Sequence, residues 1–435
     1  MIINSLEDYA KYYKDFQWIE NRDNEQPSLM LVGVEFQAHF LYFAGHIPEK
    51  RQALAECIEE YQKYFGDHLT WCAYEDKEGS WRDNLLDEAD TPSLQQIFQM
   101  QPDPDDIIQI YYGSHEPLDA VEYAINATTN RKWQGQLLLS SFVQFKVIAD
   151  DVFDPEKFKI INDLIRFFIK KLGVYHAVSG FQSNTAYMPK NIGDYALEQS
   201  KRFLGIYQGA SLSETEAINE GIKSIDWITY VNDTLIQRIC DVSDFPKYCK
   251  LFNLTPERLD DGYIFQLEKY PQLIPSNEPI LESYINLNKA LRPLRNGAYK
   301  AISHYSSNNL NVLDVSNTRL WIRRFDAPDI YPNQKNYAEK NPSQTIYLDS
   351  GEKCVIDGIY RYDQDTKVDG TPKHVSYSNR DDYVPNSIND YRQQVVLLKG
   401  DLAPRYLDFY DNAVLKEAKK VKWRLVSEII RVGSL

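Results

Sequence analysis

The residues from Leu29 to Phe43 place apolar side chains at every second position, most regularly from Val34 onward. A period of two predicts a long β-strand. Pro48 then begins a segment with helical spacing that extends to about Phe65, and proline is favoured at the first helical position. Later segments repeat this combination. The predicted fold class is therefore α+β: a largely antiparallel sheet packed with helices, plus a smaller, mostly β C-terminal domain.

The order of the segments predicts four parts of the chain. They are an N-terminal helical extension at 1–27, an α/β domain at 28–300, a connecting segment and linker at 301–345, and a small β-rich C-terminal domain at 346–435. The linker is placed where proline, asparagine and charged residues are concentrated, because such residues interrupt regular structure. Short strand candidates separated by Gly, Asn and Asp turns follow it.

The cysteines and the N-terminus bear on the compartment. Five cysteines are scattered along the chain and none forms a C-x-x-C pair, which is typical of reduced, cytoplasmic proteins. The first residues lack the basic and apolar regions of a secretory signal, and no apolar run approaches the ~18 residues that a membrane span needs. We therefore expect a soluble, cytoplasmic protein that does not bind a membrane.

The net charge of −15 is unevenly distributed, because residues 1–110 contain 22 acidic and 8 basic residues. Within 67–106, 11 acidic residues stand against Lys77 and Arg82. A charge run is most often a solvated face, and on charge alone we favour that interpretation. The alternative is a surface that attracts a basic partner and speeds association. Direct binding of nucleic acid is disfavoured, because basic patches supply most of its affinity.

The acidic region supplies candidate partner-contact residues. The loop Pro102–Asp106 places carboxylates between prolines, which reduce the entropy lost on binding. Trp81 stands among charged residues, where a large aromatic side chain is equally compatible with a binding hot spot and with simple packing. The candidates are Glu75, Asp76, Glu78, Trp81, Asp83, Asp87, Glu88, Asp103, Asp105 and Asp106.

The sequence contains no motif that indicates catalysis or a cofactor. The seven histidines lack metal-ligand spacing, and no G-x-S-x-G, G-x-G-x-x-G or P-loop pattern occurs. The acidic segment Asp363–Gly370 has the wrong spacing for a calcium loop and is interpreted as a hairpin turn. We therefore predict no catalytic residue, no cofactor and no metal, and a protein that is not an enzyme. A hydrolase with an unrecognised site is the alternative.

Several features occur in an order that is typical of one known family. The most specific is the stretch Ile222–Asp233, with its Gly-Ile-Lys start, an acidic residue before Trp227, and Tyr230. Over residues 28–295 the chain resembles the type VI secretion immunity family, first catalogued as a domain of unknown function. The C-terminal module resembles small β domains of other predicted immunity proteins, although Val355 and Tyr360 stand where that pattern has Pro and Trp.

The resemblance implies an immunity protein that binds one cognate type VI secretion toxin and blocks it, and it carries no catalytic residues. Relatives are associated with nuclease toxins, among others. The acidic region favours a nuclease as the toxin, because the substrate cleft of a nuclease must be basic. The missing secretory signal favours a toxin that acts in the cytoplasm. The ten candidate contact residues are then toxin contacts that occlude the active site. The alternative is a non-inhibitory adaptor or structural protein of a secretion locus, and the oligomeric state is left open.

Overall fold

The computed structural model describes residues 2–12, 18–20, 29–115, 120–136, 138–185, 193–209, 221–297, 302, 312–326, 338–363, 394–410 and 414–430 of the chain. None of the described helices is long and apolar enough to cross a membrane. The segment 364–370, which contains most of the predicted hairpin turn after Asp363, lies outside these residues.

A large antiparallel sheet, with eleven strands within the described residues, forms the centre of the fold. Its strands are β1 (Trp18–Glu20), β2 (Leu29–Tyr42), β3 (Trp71–Glu75), β4 (Trp81–Leu85), β5 (Gln109–Gly113), β6 (Ala124–Thr128), β7 (Ser141–Val147), β8 (His176–Thr185), β9 (Ile228–Asn232), β10 (Glu257–Leu259) and β11 (Gly262–Gln266). They lie in the order β10-β11-β9-β8-β2-β7-β6-β5-β3-β4, and β1 pairs with β2. Among the described strands, the edges of the sheet are therefore β10 on one side and β4 on the other.

Ten described helices accompany the strands. They are α1 (Leu6–Ala10), α2 (Pro48–Phe65), α3 (Leu94–Met100), α4 (Lys132–Gln136), α5 (Pro155–Leu172), α6 (Gly193–Arg202), α7 (Asp233–Ile236), α8 (Phe245–Lys250), α9 (Glu282–Leu291) and α10 (Val315–Ile322). The two longest, α2 and α5, each have proline in the first turn, and Asp154 caps α5. Proline fits there because its missing N–H would have no partner in the helix.

The long strand predicted from the alternation is confirmed as β2, at the middle of the sheet. Its side chains at Phe36, Ala38 and Phe40 belong to the main core, where Phe40 packs against Phe168 of α5 with ring centroids 5.1 Å apart. The intervening Gln37 and His39 are also buried, on the opposite face. The strand is therefore covered on both sides.

A smaller sheet lies at the C-terminal end of the chain. Its strands are β12 (Ala338–Lys340), β13 (Tyr347–Asp349), β14 (Gly358–Tyr362), β15 (Gln394–Leu397) and β18 (Lys422–Ile430), and β16 (Tyr406–Phe409) forms a separate pair with β17 (Leu415–Lys419). The predicted α+β class, with a smaller β-rich C-terminal part, is confirmed. Helix α10 and strand β12 lie inside the segment predicted as connection and linker, so that segment contains ordered elements; the domain boundaries remain a prediction.

Buried ion pairs join the C-terminal sheet to the rest of the chain. Arg292 donates to both carboxylate oxygens of Asp401, at 2.7 and 3.0 Å, and to Asp326 at 3.1 Å. Arg295 donates to Asp326 at 2.6 and 2.9 Å. All four side chains are nearly inaccessible to solvent. Removing one partner would leave a buried charge uncompensated, so this cluster fixes the position of the C-terminal sheet.

Candidate functional site

The acidic candidates lie on two loops and one strand. The turn between β3 and β4 contains Asp76 and Glu78, and the loop before β5 contains Asp103, Asp105 and Asp106. Strand β3 pairs antiparallel with both β4 and β5. The two loops therefore lie side by side at one end of the sheet. Glu75, Glu78, Asp103, Asp105 and Asp106 are called the acidic end below.

Gln101 ties the two loops together. Its side chain is buried, and Nε2 donates to the carbonyl oxygen of Asp76 at 2.7 Å and to that of Glu75 at 3.3 Å. The carbonyl oxygen of Gln101 accepts in turn from Nη1 of Arg51 on α2. Gln101 is therefore bonded to the first loop through its side chain and to Arg51 through its backbone carbonyl, and these buried bonds fix the spacing between the loops.

Arg51 also holds the second loop. Its Nη2 donates to the carbonyl oxygens of Asp103 and Asp106, at 2.9 and 2.7 Å. Within the loop, Asp103 Oδ1 accepts from the N–H of Asp105 and Asp106 Oδ2 accepts from the N–H of Asp103. The guanidinium group of Arg51 thus binds the backbone of the loop. The carboxylate of Asp105 is exposed and forms no hydrogen bond to the loop among the described contacts.

Asp76 is not a free surface carboxylate, although it was a contact candidate. It accepts hydrogen bonds from the N–H groups of Ser80 and Glu78, at 2.8 and 3.0 Å, and from Nε of Arg82 at 2.6 Å. These bonds, that of Ser80 first, lower the pKa of the Asp76 carboxyl. We therefore interpret Asp76 as the residue that shapes the turn.

Neighbouring charged groups act on the carboxyl of Glu75. Burial raises the pKa of Glu75, nearby Arg131 lowers it, and Asp76 and Asp106 raise it. A basic group from a partner would lower the pKa of Glu75 and favour its charged form. The local field of the acidic end is therefore negative and open to solvent at Glu78, Asp103 and Asp105.

The structure does not bring every candidate to this end. Asp83 is exposed in the middle of β4, and Asp87 and Glu88 follow the strand at its far end. A strand advances about 3.4 Å per residue, so β4 is roughly 14 Å long. Asp87 and Glu88 lie beyond one end of this strand, and the acidic end lies at the other. No strand is predicted from the sequence here, because Arg82, Asp83 and Asn84 give no apolar alternation.

Trp81 packs against the sheet and is partly exposed. It lies against a small cluster formed by Trp71, Ala73, Tyr111, Val121 and Ala124. Packing of Trp81 is therefore observed, and its contact with a partner remains a prediction.

A groove of about 390 Å³ lies between α2 and α3, beside the acidic end. Pro102 and Pro104 of the second loop line it together with Phe98. His46 lies at its buried wall, where burial lowers the pKa of the imidazole. The groove therefore offers apolar and amide surface next to the carboxylates.

The stretch Ile222–Asp233, which carried the resemblance, lies in the interior. Lys223 is buried and donates to the carbonyl oxygen of Gln208 at 2.6 Å, and burial lowers its pKa. Asp226 is also buried, which raises its pKa, and it accepts from the N–H of Trp227 at 2.7 Å. A Cβ atom at Gly180 would come within 2.4 Å of the Asp226 carboxylate. This motif therefore serves folding.

Within the described residues, no group of three His, Cys, Asp or Glu side chains is arranged to hold a metal ion. A family model described as TsiV, type VI immunity for VRR-NUC, matches residues 53–325, and the chain belongs to this family. The predicted type VI secretion immunity family is thus confirmed, and the chain is an immunity protein and not an enzyme.

The matched region begins later and ends later than the 28–295 inferred from the sequence, and it includes α10. The solved structure of Pseudomonas aeruginosa T6SS protein PA0821 has a similar fold, with a TM-score of 0.61 and 18% sequence identity. The similarity covers 71% of this chain and 87% of that chain. No curated protein matches the chain.

Proposed function

We propose that the chain neutralises a VRR-NUC nuclease toxin of a type VI secretion system by placing its acidic end over the toxin's nucleic-acid cleft. The observation that carries this proposal is that two acidic loops are brought together and fixed by Arg51 and Gln101. A nuclease cleft must be basic, since it binds phosphates. A negatively charged protein surface of fixed shape is complementary to such a cleft.

Charge also supports fast association. Residues 1–110 contain 22 acidic and 8 basic residues, and the acidic end lies within that part of the chain. Complementary potentials raise association rates toward about 10⁸–10⁹ M⁻¹s⁻¹ at low salt, against about 10⁵–10⁶ without steering. An inhibitor that must capture a toxin before it reaches nucleic acid gains directly from such a rate.

The backbone bonds of the second loop reduce the cost of binding. Because Arg51 already fixes the carbonyl groups of Asp103 and Asp106, little loop entropy is lost when a partner docks. The adjacent groove lined by Pro102 and Pro104 would receive apolar groups from the toxin. Polar contacts would then surround a small desolvated centre, as in other tight interfaces.

We also propose that the protein acts in the cytoplasm, where its nuclease target finds nucleic acid, and that the C-terminal sheet is a separate domain. The pairs of Arg292 with Asp401 and Asp326 hold that sheet in place. It would therefore present its surface to the toxin in a fixed orientation relative to the acidic end.

The test is rescue of a susceptible bacterium that expresses the VRR-NUC protein encoded beside this gene, followed by binding kinetics with the purified pair. The informative variant is Glu78→Lys with Asp105→Lys, because both side chains are exposed and neither caps a backbone group among the described contacts. Its control is Glu156→Lys with Asp261→Lys, which changes charge equally at exposed positions of α5 and the β10–β11 turn.

We expect wild-type rescue and an association rate that falls about tenfold in the first variant at low salt, with the control nearly unchanged. Equal rates in both variants would remove the acidic end from the mechanism while leaving immunity intact. Binding without rescue would instead identify the adaptor function.

A further inference from the structure

The two edge strands of the large sheet, β10 and β4, differ in length and in the ion pairing of their side chains. At the β10 end, the edge strand has three residues, and its charged side chains are both neutralised. Arg166 donates to both oxygens of Glu257 at 2.6 and 2.8 Å, and Arg258 donates to both oxygens of Asp233 at 2.5 and 2.7 Å. Short edges with occupied side chains discourage pairing with another strand.

The β4 end is longer and pairs, among the described strands, only with β3. The N–H of Leu86 donates to the Thr70 carbonyl, and the N–H of Asp76 donates to the Ser80 carbonyl. These bonds show that the backbone groups of residues 80 and 86 point toward the β3 side. In an antiparallel pair every second residue directs its backbone groups to its neighbour. Arg82 and Asn84 therefore face β3, and the N–H and C=O of Asp83 face the outer side.

One acidic side chain lies on this outer edge and two follow just beyond it. Asp83 is exposed and forms no ion pair within the described residues, and the same holds for Asp87 and Glu88 just beyond the strand. Arg82, the one basic residue of β4, is bonded to Asp76. The edge therefore combines outward backbone groups with uncompensated negative charge.

We propose that β4 is a docking edge on which a basic β-strand of the toxin adds to the sheet; this rests on the proposed function. In such β-addition, main-chain hydrogen bonds supply affinity and alternate side chains supply specificity. The occupant is a strand with Lys or Arg at alternate positions, placed opposite Asp83. A second copy of this chain would instead bring Asp83 and its acidic neighbours against their own kind, and like charges directly opposite are destabilising.

The edge also extends the acidic end. Trp81, the first residue of β4, follows directly on the turn that Asp76 shapes. A strand added to β4 would therefore hold the toxin beside the turn that contains Glu78, so that backbone bonding and charge steering act on the same partner.

The test compares Asp83→Pro with Asp83→Asn, using the VRR-NUC protein encoded beside this gene as the probe. Proline removes the outward N–H without breaking the β3 ladder, as proline is tolerated on edge strands with that side outward. Asparagine removes the charge and keeps the N–H. Thermal melting of both variants checks that the fold persists.

We expect Asp83→Asn to weaken binding a few-fold and Asp83→Pro to weaken it at least about tenfold more, through faster dissociation. Hydrogen exchange on the wild-type complex is the second measurement, and it should show the Asp83 amide protected at least about tenfold on binding. Equal affinity of the two variants, or an unprotected Asp83 amide in a complex that forms, overturns the docking edge and spares the proposed function. Absence of any wild-type complex overturns both.

Discussion

Replacing Arg51 by Met should loosen the second acidic loop and lower stability together. Methionine keeps the apolar stem of the side chain but removes three hydrogen bonds, to the carbonyl oxygens of Gln101, Asp103 and Asp106. Losing the bond to the buried Gln101 backbone leaves an acceptor unsatisfied, at about 1–3 kcal/mol, while water partly replaces the other two at about 0.5–1 kcal/mol each. The free energy of unfolding should therefore fall by about 3 kcal/mol.

The assay is urea unfolding combined with hydrogen exchange of residues 101–106. Arg51→Lys is the matched control, because it keeps the charge but has a compact ammonium group in place of the planar fork, and it should recover only part of the loss. The exchange of the loop amides should rise in Arg51→Met well beyond the rise elsewhere in the sheet. Unfolding energies within about 0.5 kcal/mol of wild type, with unchanged loop exchange, would refute the role assigned to Arg51.

Three further outcomes follow from the buried groups. Asp401→Ala should cost about 3–5 kcal/mol, because it leaves one side of Arg292 uncompensated, and limited proteolysis should then release the C-terminal sheet earlier than in wild type. Burial alone would raise the pKa of Asp326, but Arg295 and Arg292 lower it to about 2. The ionised carboxylate should therefore stabilise the fold above about pH 4, and this contribution should be lost as the pH falls toward 2. Asp326→Asn should flatten that dependence in acid-unfolding curves. Gly180→Ala should lower the melting temperature, as its Cβ meets the Asp226 carboxylate, whereas the control Gly33→Ala meets only the flexible end of Met30 and should have a small effect.

The sequence predicted those parts of the fold that depend on patterns of neighbouring residues. Alternation from Val34 onward marked β2, and Pro48 marked the start of α2. The concentration of acid in residues 67–106 was also visible. These features depend on neighbours in the chain, so no knowledge of the tertiary structure was needed to find them.

The remainder depends on contacts that no local pattern records. Strand β4 exists because Asp76 closes the turn before it and β3 pairs with it, although its own residues lack apolar alternation. Ser93 caps the start of α3 together with Gln96. Thr91-Pro92 offers similar capping chemistry in the sequence, but Thr91 donates its hydroxyl to the carbonyl of Leu85. The hydrogen bond from Arg51 to Asp103 joins residues 52 positions apart in the sequence, so no local pattern indicates it.

The central claim is that the acidic end and nucleic acid occupy the same place on the toxin. The most direct measurement is a competition: the VRR-NUC protein is bound to fluorescently labelled DNA under conditions in which the DNA is not cut, and this protein is added while anisotropy is followed. Our account predicts that one equivalent displaces the DNA, and that Glu78→Lys with Asp105→Lys displaces it more slowly at low salt. A stable ternary complex of toxin, DNA and this protein, seen by light scattering, would contradict the account.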